Sequence, residues 1–219
     1  MMRRVTVAGI LVVSVAIAMS NISYAVPLTS GMEAKTPCLK SHVELKMKMR
    51  KLWEDCLTWM HAYIVSALEN LDDAEYAAKR LLKNQEEQSE VIRLYYGDEV
   101  GDRLSNLLKE HVSLVMGIVK ATRMGATIDA AEAQDRWRRN ADEIAVLLSE
   151  VNPDYWSKAT LMDILYKHLE YITEEIASRF NKDWEADIDS YDQDHLHILK
   201  FADMLGEGII QQFPEKFKK

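Results

Sequence analysis

Four side chains that can bind a metal ion lie near the midpoints of predicted helices: Cys56, His111, His168 and His195. Neutral imidazole and thiolate are ligands that suit Zn, Cu, Fe or Ni. In an antiparallel bundle the midpoints of helices of similar length share one layer, so these side chains can converge. The sequence therefore predicts a buried site for a transition metal or a small ligand. A closed set of four protein ligands favours binding, storage or structure over catalysis.

Two amide side chains, Gln85 and Asn140, occupy the midpoints of the two remaining long helices. We interpret them as residues that contact the bound ligand or orient its ligands by hydrogen bonds. An unpaired buried polar group costs roughly 1–3 kcal/mol, so a core that accepts several of them needs a reason. The alternative is a purely structural polar core, in which each histidine pairs separately with a carbonyl or carboxylate.

The other three histidines are weaker candidates. His42 falls in the first turn of a helix, and His61 lies off the apolar stripe of the same helix. His197 is two residues from His195, so on a helix the two side chains point in different directions. These positions predict no site of their own.

The periodic spacing of apolar residues predicts six helices and no strands, that is, an all-α up-and-down antiparallel bundle. Capping residues, glycines and prolines place the helices at about 41–70, 74–95, 99–123, 128–150, 158–180 and 181–212. The stripe of the last helix contains Trp184, Ile188, Tyr191 and Ile198, with His195 between the last two. The predicted site requires a bend near Asn181, because 27 residues of unbroken helix would hold His168 and His195 about 40 Å apart.

The first residues read as an export signal. Two arginines precede an apolar run from Val5 to Met19, and Ser23-Tyr24-Ala25 is a small-x-small cleavage pattern. We therefore expect a signal peptide at 1–25, a flexible leader at 26–40, one helical domain at 41–213 and a basic tail at 214–219. The mature protein would then be periplasmic or secreted, with no later membrane span. An uncleaved membrane anchor is the alternative.

Composition and missing motifs exclude several classes of function. The net charge is -8 and the basic residues are scattered, which argues against nucleic-acid binding. The chain lacks the Glu-x-x-His pairs of di-iron bundles, the Cys-x-x-Cys-His of covalent haem, nucleotide-binding glycine loops and the Gly-x-Ser-x-Gly elbow. Export would permit a disulfide between Cys38 and Cys56, although Cys38 would have to fold back along the first helix.

Several segments resemble a family of uncharacterised bacterial and archaeal exported helical-bundle proteins. The resemblance runs from about His42 to the end and is carried by Trp53-Glu54-Asp55-Cys56, Lys109-Glu110-His111, Tyr166-Lys167-His168-Leu169 and Tyr191-Asp192-x-x-His195. The family pattern has histidine at the position of Cys56, so the resemblance implies a layer of four histidines in relatives. Cysteine here either preserves a soft-metal site or marks an altered one. Members often carry the names glycosyltransferase or acetylglutamate kinase, and these residues support neither.

Three functions remain open from the sequence. The preferred one is metal or small-ligand binding through Cys56, His111, His168 and His195. The second is an interaction protein of the envelope or the secreted fraction, with a structural polar core. The third is an enzyme that uses one buried histidine as a general base, which requires a cleft reaching that residue.

Overall fold

The computed structural model describes residues 37–218, which form six long helices and one short one. The α-helices are α1 (Pro37–Leu68), α2 (Ala74–Tyr96), α3 (Asp98–Met124), α4 (Thr127–Val151), α5 (Lys158–Asn181) and α6 (Trp184–Gln212), followed by a 3₁₀ helix at Pro214–Phe217. No strand occurs among residues 37–218. The predicted all-α, six-helix antiparallel bundle is confirmed.

The helices form a closed ring around one core. Each helix packs against the next one in the chain, and α6 returns to pack against α1. In addition α1, α3 and α5 contact one another across the interior. Side chains on α1, α5 and α6 can therefore meet inside the bundle although they are far apart in sequence.

The predicted break between α5 and α6 is present. Lys182 adopts the left-handed conformation (φ 63°) after α5, and the Asp183 carboxylate caps α6 by accepting a hydrogen bond from the Ala186 backbone N–H at 3.2 Å. Only these two residues separate the helices, so α5 and α6 run back antiparallel to each other. This turn sets the register of every side-chain pair between the two helices.

The buried face of the first half of α6 differs from the predicted stripe. Trp184 and Ile188 are 45% and 59% exposed, whereas Asp187, Ser190 and Asp194 are buried. The carboxylates are tolerated inside because each has a cationic or imidazole partner on α5, which offsets the cost of burial. The spacing of apolar residues predicts that the large hydrophobic side chains are buried. In the first half of α6 this prediction is wrong, because the opposite face is buried.

The two ends of the domain also differ from expectation. α1 begins at Pro37 rather than near Ser41, consistent with the preference of proline for the first helical position. The expected basic tail forms the 3₁₀ helix, in which Phe217 is buried and its ring centroid lies 4.9 Å from that of His42.

The expected signal peptide and most of the expected leader lie outside the described residues. Along 37–218, no helix is long and apolar enough to cross a membrane.

Candidate functional site

Two polar layers cross the interface between α5 and α6. His168 pairs with Asp194, and seven residues further along α5 Glu175 lies in the same layer as Asp187. Asp187 in turn precedes Asp194 by seven residues. Because the two helices are antiparallel, this equal spacing places His168 opposite Asp194 and Glu175 opposite Asp187. Seven residues are two helical turns, which separates the layers by roughly 10 Å.

The layer nearer the α5–α6 turn gathers a histidine and two carboxylates from three helices. His61 of α1 places Nδ1 2.7 Å from Glu175 Oε1. One ligand atom each from His61, Glu175 and Asp187 lie within 4.8 Å of one another. Glu175 and Asp187 are 1% exposed, whereas the His61 side chain is 33% exposed. This largely buried group could hold a metal ion.

The charges of this layer are matched in pairs. The hydrogen bond to Glu175 raises the pKa of His61, against the opposing effect of burial. Burial raises the pKa of Glu175, although His61 acts in the opposite direction. Both shifts favour retention of a proton by the His61–Glu175 pair. On the other side, Arg179 Nη1 donates to Asp187 Oδ2 at 3.0 Å.

Two polar atoms of the layer have no hydrogen-bond partner among the described residues. They are Asp187 Oδ1 and Arg179 Nε, both buried. A buried carboxylate oxygen without a donor costs roughly 1–3 kcal/mol or more, because the carboxylate is charged. A cation bound between Asp187, Glu175 and His61 would supply the missing interaction.

The ligand spacing is compatible with coordination. Bonds of about 2.1 Å to a tetrahedral ion place ligand atoms roughly 3.4 Å apart. The ligand atoms lie within 4.8 Å of one another, so no pair is more than about 1.4 Å farther apart than that arrangement requires. The 2.7 Å contact between His61 and Glu175 would have to open as the ion enters.

His111, one of the predicted ligands, has both ring nitrogens engaged. Trp137 Nε1 donates to His111 Nε2 at 2.9 Å, so the proton is on Nδ1, which donates to Asn140 Oδ1 at 2.8 Å. Asn140 Nδ2 in turn donates to the Leu107 carbonyl at 3.0 Å. Burial, together with the nearby His168, lowers the pKa of His111 to about 3. His111 is therefore a neutral ring with no free nitrogen in this arrangement.

His168 lies next to His111, with the ring centroids 5.9 Å apart and nearly parallel. Its Nδ1 lies 2.8 and 2.9 Å from the two carboxylate oxygens of Asp194. Burial lowers the pKa of His168, but the Asp194 carboxylate more than offsets this and the net shift is upward. The structure thus brings two of the predicted histidines together, one neutral and one paired with a carboxylate.

Cys56 and His195 do not join this histidine pair in a common ligand group. The Cys56 thiol is free, buried, and accepts a hydrogen bond from Gln85 Nε2 at 3.4 Å. Burial raises the pKa of Cys56 to about 11, even though Gln85 favours the thiolate. The side chain of His195 is 28% exposed, with Nε2 3.0 Å from Glu54 Oε1.

Among the described residues, the only set of three or more histidine, cysteine, aspartate or glutamate ligand atoms within 4.8 Å is His61, Glu175 and Asp187. The predicted set of Cys56, His111, His168 and His195 is not gathered in this way. The hydrogen bonds expected of Gln85 and Asn140, to Cys56 and His111 respectively, are present. They satisfy buried polar atoms within the protein itself.

The sequence contains one pattern that could have identified Glu175 and Asp187. Glu175 follows His168 by seven residues, and Asp187 precedes Asp194 by seven, so each pair shares a face of its helix. Once α5 and α6 are taken as an antiparallel pair, this spacing aligns His168 with Asp194 and Glu175 with Asp187. Nothing in the sequence indicates that His61, off its stripe, would meet them.

Comparison of the chain with protein-family models, with curated proteins and with solved structures gives no match.

Proposed function

We propose that this protein binds a divalent transition-metal ion through His61, Glu175 and Asp187. The observation that carries the proposal is the buried, unpartnered Asp187 Oδ1 beside a second buried carboxylate and an imidazole. The rival reading is a structural network of two ion pairs, His61–Glu175 and Arg179–Asp187. That reading leaves Asp187 Oδ1 unsatisfied, whereas a bound cation would satisfy it.

The donor set narrows the class of metal. One imidazole nitrogen and two carboxylate oxygens suit Zn²⁺, Fe²⁺, Ni²⁺ or Mn²⁺, and Mg²⁺ and Ca²⁺ less well because these hard ions prefer oxygen ligands alone. No thiolate belongs to the group, so Cu(I) is a poor fit. We take Zn²⁺ as the first ion to test.

The burial of the site favours retention of the ion over turnover of a substrate. Both carboxylates are almost fully inaccessible, and only a third of the His61 side chain is exposed. Three protein ligands leave one position of a tetrahedral ion open, as in catalytic zinc sites, but burial of the two carboxylates limits the access of a substrate to it. We therefore propose a binding, storage or structural role for the metal. Export of the protein remains a prediction from the sequence of residues 1–25.

The test is the metal content of the full-length protein, purified without a His tag, equilibrated with Zn²⁺ and freed of excess ion. We expect about one ion per chain in the wild type and almost none in Asp187→Asn or Glu175→Gln. The matched control is Asp194→Asn, since Asp194 is equally buried on the same helix and also pairs with a group on α5. This control should retain the ion, and circular dichroism should show that all variants are folded.

Two results would contradict the proposal. Wild-type protein that holds no metal after loading with Zn²⁺, Fe²⁺, Ni²⁺ and Mn²⁺ would reject metal binding at this site. Metal that is retained in Asp187→Asn but lost in a His111→Ala/His195→Ala double variant would place the site in the layer predicted from the sequence instead.

A further inference from the structure

Arg179 occupies one side of the proposed metal site. It lies in the last turn of α5, where its Nη1 donates to Asp187 Oδ2 at 3.0 Å. The Cζ atom of the same guanidinium lies 4.8 Å from the centre of the Trp184 ring, within the range of a cation–π interaction. Its Nε is buried and has no partner among the described residues. The guanidinium is therefore held between the proposed ligand Asp187 and an aromatic face.

This position makes Arg179 a competitor for the carboxylate. Asp187 can coordinate a metal ion most strongly when its charge is not shared with a second cation. A metal ion bound at Asp187 Oδ1 would lie close to the guanidinium that holds Oδ2, and like charges a few ångströms apart repel each other strongly in a partly buried setting. Arg179 therefore weakens the binding of a metal ion to the carboxylate that the two cations share.

The side chain is suited to this role. A guanidinium is a cation with planar N–H donors, so it competes with a metal ion for a carboxylate. It also stacks on aromatic rings, and Trp184 is 45% exposed at the edge of the site.

We propose that Arg179 lowers the affinity of this site for a divalent metal ion, as an internal cation that shares the Asp187 carboxylate with the metal and that Trp184 helps to hold in place. The inference rests on the proposed function, because it requires that a metal bind at His61, Glu175 and Asp187. It adds that the protein binds the metal more weakly than its three ligands alone would allow.

The experiment measures the dissociation constant for Zn²⁺ by competition with a chromophoric chelator, in the full-length wild type and three variants. Arg179→Gln removes the competing charge and should bind Zn²⁺ at least about tenfold more tightly. Trp184→Ala removes the aromatic face that holds the guanidinium and should tighten binding by roughly two- to fivefold. Arg50→Gln is the matched control. Arg50 likewise pairs with an aspartate of α6, Asp203, but this pair is exposed and does not include a proposed ligand, so its loss should leave the affinity unchanged.

Tighter binding is a readout that structural damage would not produce, because a distorted site loses affinity. Arg179→Gln protein that binds Zn²⁺ as the wild type does, or more weakly, would overturn the inference while leaving the proposed function standing. Absence of binding in both proteins would reject the proposed function itself. If Arg179→Gln does not fold, Trp184→Ala decides the question, because its side chain is partly exposed, and unchanged or weaker binding there is the overturning result.

Discussion

The buried imidazole of His111 should make the protein lose stability in mild acid, and a single substitution should remove that effect. His111 has a pKa of about 3 in the folded protein, lowered by burial, against the ordinary value of 6.5 that applies to the unfolded chain. Below about pH 6.5 the unfolded chain therefore binds a proton that the folded protein does not. Since the unfolded state binds more protons, the free energy of unfolding falls as the pH falls.

The size of the effect follows from the two pKa values. Between about pH 7 and pH 4.5, one proton with these two values lowers the free energy of unfolding by about 2.5 kcal/mol. His168 does not obscure this window. Its pKa is raised in the folded protein, so its stabilising contribution is complete below about pH 6.5 and is lost only as the pH rises through the folded value.

The variant that tests the prediction is His111→Gln. Glutamine does not titrate, and it carries both a donor for Asn140 and an acceptor for Trp137, so it replaces the two hydrogen bonds of the ring in kind. We expect the variant to be less stable than wild type at neutral pH but to lose about 2.5 kcal/mol less on acidification. Urea unfolding at a series of pH values, followed by far-UV circular dichroism, measures this difference.

The carboxylates titrate in both proteins, so their contributions to the pH dependence cancel when wild type and His111→Gln are compared. Glu175, whose pKa is raised by burial, acts in the opposite direction in acid and is present in each. A His168→Gln variant should change the pH dependence above about pH 6.5 rather than below it. The same acid dependence in wild type and His111→Gln would refute the reasoning and would mean that His111 titrates normally in the folded state.

Three further predictions concern a buried thiol and two glycines. Cys56 should resist alkylation by iodoacetamide at about pH 8 in the native protein and react rapidly in urea, since burial raises its pKa to about 11; rapid native labelling would show that the thiol is accessible. Gly208→Ala should destabilise the protein by about 3 kcal/mol, because the added methyl group would lie 2.0 Å from Trp156 Nε1. Gly117→Ala should instead stabilise α3 by up to about 1 kcal/mol, because no atom lies within 4 Å of the added methyl group. Thermal unfolding of the two glycine variants measures the difference. Equal effects of the two substitutions would contradict the packing argument.

Most of the fold could be predicted from local sequence signals. The predicted helix limits agree with the structure to within a few residues, because glycine and proline breaks such as Gly97, Gly125 and Pro153 act locally. The predicted bend near Asn181 corresponds to the break that Asp183 caps at the start of α6. Helix ends depend on nearby backbone chemistry, so the residues around each end are sufficient to find them.

For the candidate site, the sequence predicts the polar character of the interior but not the residues that come together. The sequence indicates that polar residues lie inside the bundle, and His111, His168, Gln85 and Asn140 are indeed buried. Its reading of α6 selected Trp184 and Ile188 for the interior, because hydrophobic spacing carries no information about which charges will find partners. Burial of Asp187 is possible because Arg179, on the preceding helix, donates a hydrogen bond to its carboxylate.

The sequence by itself therefore determined six amphipathic helices, their order and an interior with more polar side chains than packing requires. The tertiary structure decided which of those side chains meet. His61 lies 114 residues from Glu175 in the chain, and the two come within 2.7 Å only because α1 packs against both α5 and α6. The physical reason is that helix formation is governed by neighbours in sequence, whereas a ligand set depends on the rotation and register of helices, which the packing of the whole core sets.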